Sequence, residues 1–136
     1  MHRSDAHSPS APLVLLVEDD HDLRTALAEV LDDEGYDVWQ AENGREALEA
    51  LRARPASVVL LDLMMPVMSG WEFLAALRRD PGFHRVRVVV VTASLDPPPG
   101  AYAYLSKPFE LRELLAVIGD ATGERPHHEA DRGAHA

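Results

Sequence analysis

The sequence of 136 residues contains no cysteine. Without a thiol, the chain can form no disulfide framework, no thiolate metal site and no cysteine nucleophile. The sequence also has no uninterrupted apolar run of the roughly 18–20 residues that a transmembrane helix needs, and residues 1–12 lack the apolar core of a secretory signal. We therefore expect a cytoplasmic protein with no membrane partner.

Positive charge is scarce in this chain. The 13 lysines and arginines are outnumbered by 23 aspartates and glutamates, which gives a formal net charge of −10. This balance gives no electrostatic support for a nucleic-acid partner, and we expect none. The length and the hydrophobic content of 46% suit one domain with a sizeable core. We place that domain at residues 13–118, between flexible tails at 1–12 and 119–136.

Apolar runs and amphipathic stretches alternate along this domain. Continuous apolar runs predict buried strands, and an apolar period of 3.6 residues predicts helices. The predicted strands are 13–17, 36–41, 58–62, 86–91 and 101–105. The first predicted helix buries Leu23, Ala26, Leu27, Val30 and Leu31, and later helices are predicted at 45–54, 71–79 and 110–118. The last of these is predicted to turn Leu111, Leu114, Leu115 and Ile118 inward. This order predicts an α/β fold, a parallel sheet with helices on both faces.

The link between the fourth and fifth strands breaks the alternation. It contains Pro97-Pro98-Pro99 within the seven residues that follow Thr92. Proline lacks a backbone N–H and its ring clashes with the preceding helical turn, so this link cannot form a regular helix. We predict a loop there.

Polar residues follow four of the strands. Glu18 and Asp19 follow the first strand, Asp62 ends the third, Thr92 follows the fourth and Lys107 lies just beyond the fifth. Parallel strands point the same way, so these groups should meet at one edge of the sheet. Clustered carboxylates repel unless a cation neutralises them, and oxygen ligands favour Mg²⁺. An exposed aspartate beside a hydroxyl and an ammonium could accept a phosphoryl group.

Four stretches of the chain resemble the receiver domain of response regulators in two-component signalling. They are Leu15-Leu16-Val17-Glu18-Asp19-Asp20, Asp62-Leu63-Met64-Met65-Pro66 with Gly70-Trp71-Glu72, Val91-Thr92-Ala93, and Gly100 to Phe109. The resemblance runs from about Leu13 to Ile118. It implies a flavodoxin-like, doubly wound five-stranded parallel sheet in three α/β/α layers.

The resemblance implies a role for each residue that matches a motif. Asp62 is similar to the phosphoacceptor, and Asp19 to the acid that contacts Mg²⁺ directly. Glu18 matches the partner of that acid, and the Met64 carbonyl matches a backbone ligand of the ion.

A second group of residues resembles the family's switch. Thr92 matches the hydroxyl that moves onto the phosphoryl group, and Ala93 the small residue that leaves access to it. Lys107 matches the lysine that pairs with the phosphoryl group, and Pro108 the proline after it, which is commonly cis. Tyr104 matches the aromatic residue that changes rotamer as the hydroxyl moves.

The implied function is that of a phosphoacceptor rather than an enzyme. A sensor histidine kinase or a histidine phosphotransfer protein would phosphorylate Asp62, and the change would switch contacts with a downstream protein. Receivers normally have a helix before the fifth strand, and here that link is shorter by about seven residues, close to two helical turns. Because that helix belongs to the family's usual dimer surface, we expect a monomer or a weak dimer. Residues 119–136 are too few and too polar to form an output domain.

Other functions fit less well. A haloacid-dehalogenase-type phosphatase would need a second aspartate two residues after Asp62, where this chain has Met64. The chain has no G-x-x-x-x-G-K-[ST] loop and no G-x-G-x-x-G after the first strand. A receiver-like interaction module that works without phosphorylation stays open, because the missing helix favours it. His127, His128 and His135 could bind a transition metal, but we interpret them as incidental.

Overall fold

A computed structural model of the chain describes residues 11–65 and 67–123. Pro66, the C-terminal histidines and most of both predicted tails lie outside the described residues. Ten elements are present, and one of them is a short 3₁₀ turn, Pro81–Phe83. The strands are β1 (Leu13–Val17), β2 (Asp37–Ala41), β3 (Val58–Asp62), β4 (Arg87–Thr92) and β5 (Ala103–Ser106). The α-helices are α1 (His21–Asp33), α2 (Gly44–Ala53), α3 (Gly70–Arg79) and α4 (Leu111–Thr122).

All five strands lie in one parallel sheet, in the order β2-β1-β3-β4-β5. The helices α2 and α3 pack on one face, and α1 and α4 pack on the other. Successive strand residues point to opposite faces, so Val59 and Leu61 enter one core while Val58 and Leu60 enter the other. Covered on both faces, β3 has to be apolar throughout until Asp62. The predicted three-layer, doubly wound fold is confirmed.

The first helix begins where the sequence places a carboxylate. The Asp20 side chain accepts hydrogen bonds from the backbone N–H groups of Asp22 and Leu23, at 3.0 and 3.1 Å. It therefore caps the first turn of α1, whose N–H groups have no partner within the helix. Asp20 differs from the neighbouring acids Glu18 and Asp19, because its side chain caps α1.

Two predicted helix faces differ from the structure. The buried stripe of α1 consists of Arg24, Leu27, Ala28 and Leu31, whereas Ala26 is exposed and Val30 half-buried. In α4, Leu114 and Ile118 are fully buried but Leu111 in the first turn is 44% exposed. The last helix also continues past Ile118 to Thr122, and its Ala121 is buried in the core on that face of the sheet.

The link from β4 to β5 contains no helix, as its prolines predict. Leu95 is fully exposed, and Pro97 and Pro98 are half-buried. The Tyr104 hydroxyl donates to the Pro98 carbonyl at 2.5 Å and accepts from the Ala101 N–H at 3.3 Å. Residues 93–102 therefore form a strap that is fastened to β5 by one side chain.

Gly70 begins α3 against the end of β3. A Cβ at this position would lie 2.6 Å from the Leu63 Cα and 2.8 Å from the Asp62 carbonyl oxygen. Both atoms belong to the backbone and cannot move aside like a side chain. Only glycine allows this close approach of helix to strand.

We predict that Gly70→Ala destabilises the protein by about 1–3 kcal/mol, because the added methyl group overpacks a rigid backbone contact. Urea unfolding provides the measurement. Gly82→Ala is the matched control, since its Cβ would meet only a side-chain oxygen of Asp80, at 3.2 Å. Equal unfolding free energies for the two variants would contradict the prediction.

Candidate functional site

The register of the sheet determines which polar residues become neighbours. Val17 of β1 pairs with Leu61 of β3, so the next residues, Glu18 and Asp62, lie side by side at the ends of their strands. Asp62 itself pairs with Val91 of β4, and Thr92 follows. Two acids and a hydroxyl group therefore lie together at the carboxyl edge of the sheet, where β1, β3 and β4 end.

Three carboxylates converge at this edge. Glu18, Asp19 and Asp62 each have an oxygen within 4.8 Å of the others. Glu18 and Asp62 are buried, with 4% and 5% of their surface exposed, while Asp19 is exposed. This arrangement agrees with the expectation that the parallel strands would bring these acids together. The expectation of an exposed aspartate was wrong for Asp62, which is buried because it still lies in β3, paired with Val91 of β4, and has the Lys107 ammonium beside it.

Lys107 adds the only described cation paired with these acids. Its Nζ lies 3.5 Å from Asp62 Oδ1 and 3.8 Å from Glu18 Oε1. The Lys107 backbone N–H donates to the Thr92 carbonyl at 3.0 Å, which fixes the end of β5 to the end of β4. The peptide bond between Lys107 and Pro108 is cis. One ammonium group is thus shared between two carboxylates.

The buried carboxyl of Glu18 titrates abnormally. Burial raises its pKa from 4.5 to about 7, because the charged form loses hydration there. The negative charge of Asp62 raises this pKa further, whereas the Asp20 N–H, 3.1 Å from Glu18 Oε2, and the Lys107 ammonium lower it. One lysine does not compensate fully for burying this acid.

The donor set fits a magnesium ion. It consists of carboxylate oxygens, without histidine or cysteine, and one of its members is exposed to solvent. Mg²⁺ prefers such hard oxygen ligands and keeps several waters, which the exposed side of the cluster allows. The raised pKa of Glu18 is itself a sign that more positive charge would be favourable here.

The predicted switch residues lie around the same edge. The Thr92 hydroxyl oxygen is buried beside the strand end and accepts the Ser94 N–H at 2.9 Å. Ala93 is exposed next to it. Tyr104 lies in β5 opposite Val90 and is 42% exposed, with its hydroxyl bound to the strap.

The chain that leaves Asp62 contributes backbone groups. The Met64 N–H donates to Asp62 Oδ1 at 3.3 Å, and the Met64 side chain is 67% exposed. Val67 adopts a positive φ of 69°. A β-branched residue is strained in this region, at a cost on the order of 1–3 kcal/mol. Such strain is commonly found next to functional groups.

Arg24 is a contributor to the site that the sequence analysis missed. It is 8% exposed, and its Nη1 donates to the Glu18 carbonyl at 2.8 Å. Its Nε donates to Gln40 at 3.2 Å, and its Nη2 lies 3.1 Å from His21 Nδ1. The spacing indicates that Arg24 lies on the buried face of α1, since position 24 precedes Leu27 and Leu31 by three and seven residues.

This fold and site define a class of protein: a doubly wound α/β domain with an acidic cluster and a lysine at the carboxyl edge of its sheet. The chain matches the response regulator receiver domain family over residues 14–119, and it belongs to that family. The receiver domain is a signalling module rather than a catalytic enzyme.

Curated and solved relatives agree with this family. The chain is 41% identical over 112 residues to the transcriptional regulatory protein CpxR of Klebsiella pneumoniae subsp. pneumoniae (strain HS11286), covering 77% of this chain and 47% of CpxR. It is similar to chemotaxis response regulator CheY4 of Vibrio cholerae, with 31% identity and a TM-score of 0.75 over 82% of this chain and 99% of that one. It is also similar to the receiver domain of sensor histidine kinase PA1611 from Pseudomonas aeruginosa PAO1, whose structure has a magnesium ion coordinated in the active site cleft. That match has 25% identity and a TM-score of 0.77, over 85% of this chain and 100% of that one.

The chain spans about half the length of the curated relatives it matches, covering 51%, 55% and 47% of three of them. Those relatives are named as transcriptional regulators. The expectation that this chain has no nucleic-acid partner therefore stays a prediction. Within the described ranges, none of the helices has the length and apolar character needed to cross a membrane.

The raised pKa of Glu18 predicts a pH dependence of stability. Between pH 4.5 and 7 the folded protein keeps a proton on Glu18 that the unfolded chain has released. The metal-free protein should therefore lose stability as the pH rises through this window, by on the order of 3 kcal/mol from this group. Urea unfolding at several pH values in EDTA measures the change.

Glu18→Gln is the reference for that experiment, because it keeps the shape of the side chain and removes its titration. The difference in unfolding free energy between wild type and this variant should change across pH 4.5–7 and be constant above it. Parallel pH profiles of the two proteins would exclude the raised pKa.

We predict that Arg24→Met destabilises the protein by about 1–3 kcal/mol, because the Glu18 carbonyl loses its buried donor. Methionine retains much of the apolar stem of arginine. Arg45→Met, an exposed position on α2, is the control and should change the unfolding free energy by less than about 0.5 kcal/mol. If both variants unfold at the same urea concentration, Arg24 has no structural role at the site.

Proposed function

We propose that this chain is a phosphoacceptor receiver of a two-component or phosphorelay system and that Asp62 accepts the phosphoryl group. The observation that carries this proposal is the cluster of Glu18, Asp19 and Asp62 oxygens within 4.8 Å, with Lys107 Nζ 3.5 Å from Asp62 Oδ1. An acid with no function beyond solvation at the surface would not require two further carboxylates and a lysine beside it. A buried pair of carboxylates that has to accept another anion does need added positive charge.

Mg²⁺ is the cofactor that we propose. Oxygens of Glu18, Asp19 and Asp62 and the backbone carbonyl of Met64 would hold it. When bound, the ion would neutralise the carboxylates and the oxygens of an incoming phosphoryl group. The fit of the acidic oxygens to a hard cation supports this assignment.

The transfer is a displacement at phosphorus. An Asp62 oxygen forms a bond to phosphorus as the bond from phosphorus to the donor breaks, and the electron pair of that bond leaves with the donor. With a phosphohistidine donor, the leaving imidazole nitrogen keeps the pair. The product is an acyl phosphate on Asp62, so the chain carries the phosphoryl group and is not an enzyme acting on a separate substrate.

Lys107 and Thr92 respond to the new charge. The Lys107 ammonium already faces Asp62 and would pair with a phosphoryl oxygen. The Thr92 hydroxyl would donate to another phosphoryl oxygen, and the small Ala93 leaves that approach open. Tyr104 would follow the movement of Thr92, and its hydroxyl would then carry the change to the strap through Pro98.

The partners follow from this chemistry. A sensor histidine kinase or a histidine phosphotransfer protein would supply the phosphoryl group in the cytoplasm, and a downstream protein would recognise the changed surface. The family's usual dimer surface includes a helix that residues 93–102 do not form. We therefore propose a monomer or a weak dimer. The net charge of −10 gives no support for direct binding of nucleic acid.

A second candidate is an interaction module that works without phosphorylation. The observation that favours it is the same absent helix, because a receiver that lacks this element has lost part of the surface through which the family transmits its signal. The acids beside Lys107 count against it, since a silent pocket has no physical reason to bury Glu18 and Asp62 together.

Intact mass after incubation with acetyl phosphate and Mg²⁺ tests the proposal. We expect one phosphate on the wild type and none on Asp62→Asn, because the amide is not a nucleophile of this kind. Chelation of Mg²⁺ before the reaction should prevent the adduct.

Asp33→Asn is the matched control, since it removes one carboxylate from an exposed position at the end of α1. It should be phosphorylated like the wild type. Phosphate on Asp62→Asn would exclude Asp62 as the acceptor. Absence of any adduct, with acetyl phosphate and also with a phosphorylated histidine phosphotransfer protein, would favour the interaction module.

A further inference from the structure

A groove lies at the amino-terminal edge of the sheet, away from the acidic cluster. It has a volume of about 760 Å³ and is bounded by the start of β4, the residues before β5 and the ends of α3 and α4. Small-molecule sites in proteins commonly have volumes of about 300–1,000 Å³. We propose that this groove binds a small phosphate-bearing molecule.

The charge of the groove is opposite to that of the chain. Arg78, Arg85, Arg87 and His84 line it, and within residues 11–65 and 67–123 no acidic side chain does. The whole chain has 13 lysines and arginines against 23 acids. A concave site lined by one sign of charge concentrates ions of the opposite sign. The groove is therefore a local anion site on an acidic protein.

Two of the guanidinium groups are already held in place. Arg78 donates from Nε to the Gly100 carbonyl at 3.2 Å, and from Nη1 to the Val86 carbonyl at 3.4 Å. Arg87 donates from Nη1 to the Ala121 carbonyl at 3.0 Å, and its guanidinium lies 4.8 Å from the ring centre of Tyr102. These bonds use at most two of the five donors of each arginine.

The remaining donors suit phosphate. A guanidinium that is fixed by a carbonyl or an aromatic face presents its other N–H groups in a planar fork, which matches two phosphate oxygens. Because Arg78 and Arg87 are ordered by their own chain, little side-chain entropy is lost when a ligand binds. We commit to a soluble phosphate compound rather than an acidic protein segment, because a phosphate group carries more negative charge than a carboxylate and therefore gains more from the three arginines and the histidine of the groove.

Arg85 and His84 are the adaptable part of the groove. Both are exposed, and in the described part of the chain their side chains make no hydrogen bond or ion pair. They can therefore turn onto a ligand. The acid that acts against them is Asp120, which accepts a hydrogen bond from the Tyr102 hydroxyl at 2.5 Å beside the groove.

Inorganic pyrophosphate is the probe for this proposal. Titration of the ¹⁵N-labelled full chain in EDTA, which removes metal ions from the acidic cluster, should give saturable shifts of the Arg85, Arg87 and Tyr102 amides. The affinity should fall as salt is added, because screening weakens the attraction between exposed charges. Arg85→Gln should weaken binding roughly threefold to tenfold, and its thermal unfolding should match the wild type.

Arg79→Gln is the matched control, since Arg79 is exposed on α3 next to Arg78 but does not line the groove. Its affinity should equal that of the wild type. No saturation at millimolar pyrophosphate, equal weakening by both variants, or shifts confined to the Asp62 edge would each overturn the proposal. Binding of a tetraglutamate peptide without binding of pyrophosphate would overturn it in favour of an acidic protein partner.

Discussion

The ion pairs of Lys107 with Asp62 and Glu18 are the interactions on which the carboxyl edge of the sheet depends. Two nearly buried carboxylates lose most of their hydration, and like charges at this distance repel. The compensating groups come from different elements: the ammonium from the turn after β5, and backbone N–H groups from Asp20 and Met64. The site therefore depends on the pairing of β1 with β3 and, through β4, of β3 with β5, which links the folding of the sheet to the chemistry at its edge.

Much of the fold could be predicted from sequence, because a parallel sheet covered on both faces imposes a simple pattern. Val58 to Leu61 enter two different cores on alternate residues, so every position has to be apolar. The acids at the strand ends interrupt that pattern and stand out for this reason. These acids lie at the same edge of the sheet because all strands are parallel, which the alternation of strands and helices implies.

Burial could not be predicted from the sequence for Arg24 and Leu111. A charged side chain on a helix is normally assigned to the solvent face, but Arg24 is buried because the Glu18 carbonyl, Gln40 and His21 provide partners that no local pattern encodes. Leu111 fits the apolar period of α4, yet it lies in the first turn, beyond the edge of the core. Periodicity describes one helix at a time, whereas burial depends on where the neighbouring elements end.

The short fifth strand has a consequence for the motion of the site. β5 has four residues, lies at the edge of the sheet and pairs with β4 alone, and among its residues only Leu105 is buried. Elements with few buried contacts open locally at a lower free energy than the central strands. Amide hydrogens of β5 should therefore exchange with solvent before those of β1 and β3. Lys107 thus follows an edge strand with few buried contacts, while Glu18 and Asp62, the acids with which it pairs, lie at the ends of the central strands β1 and β3.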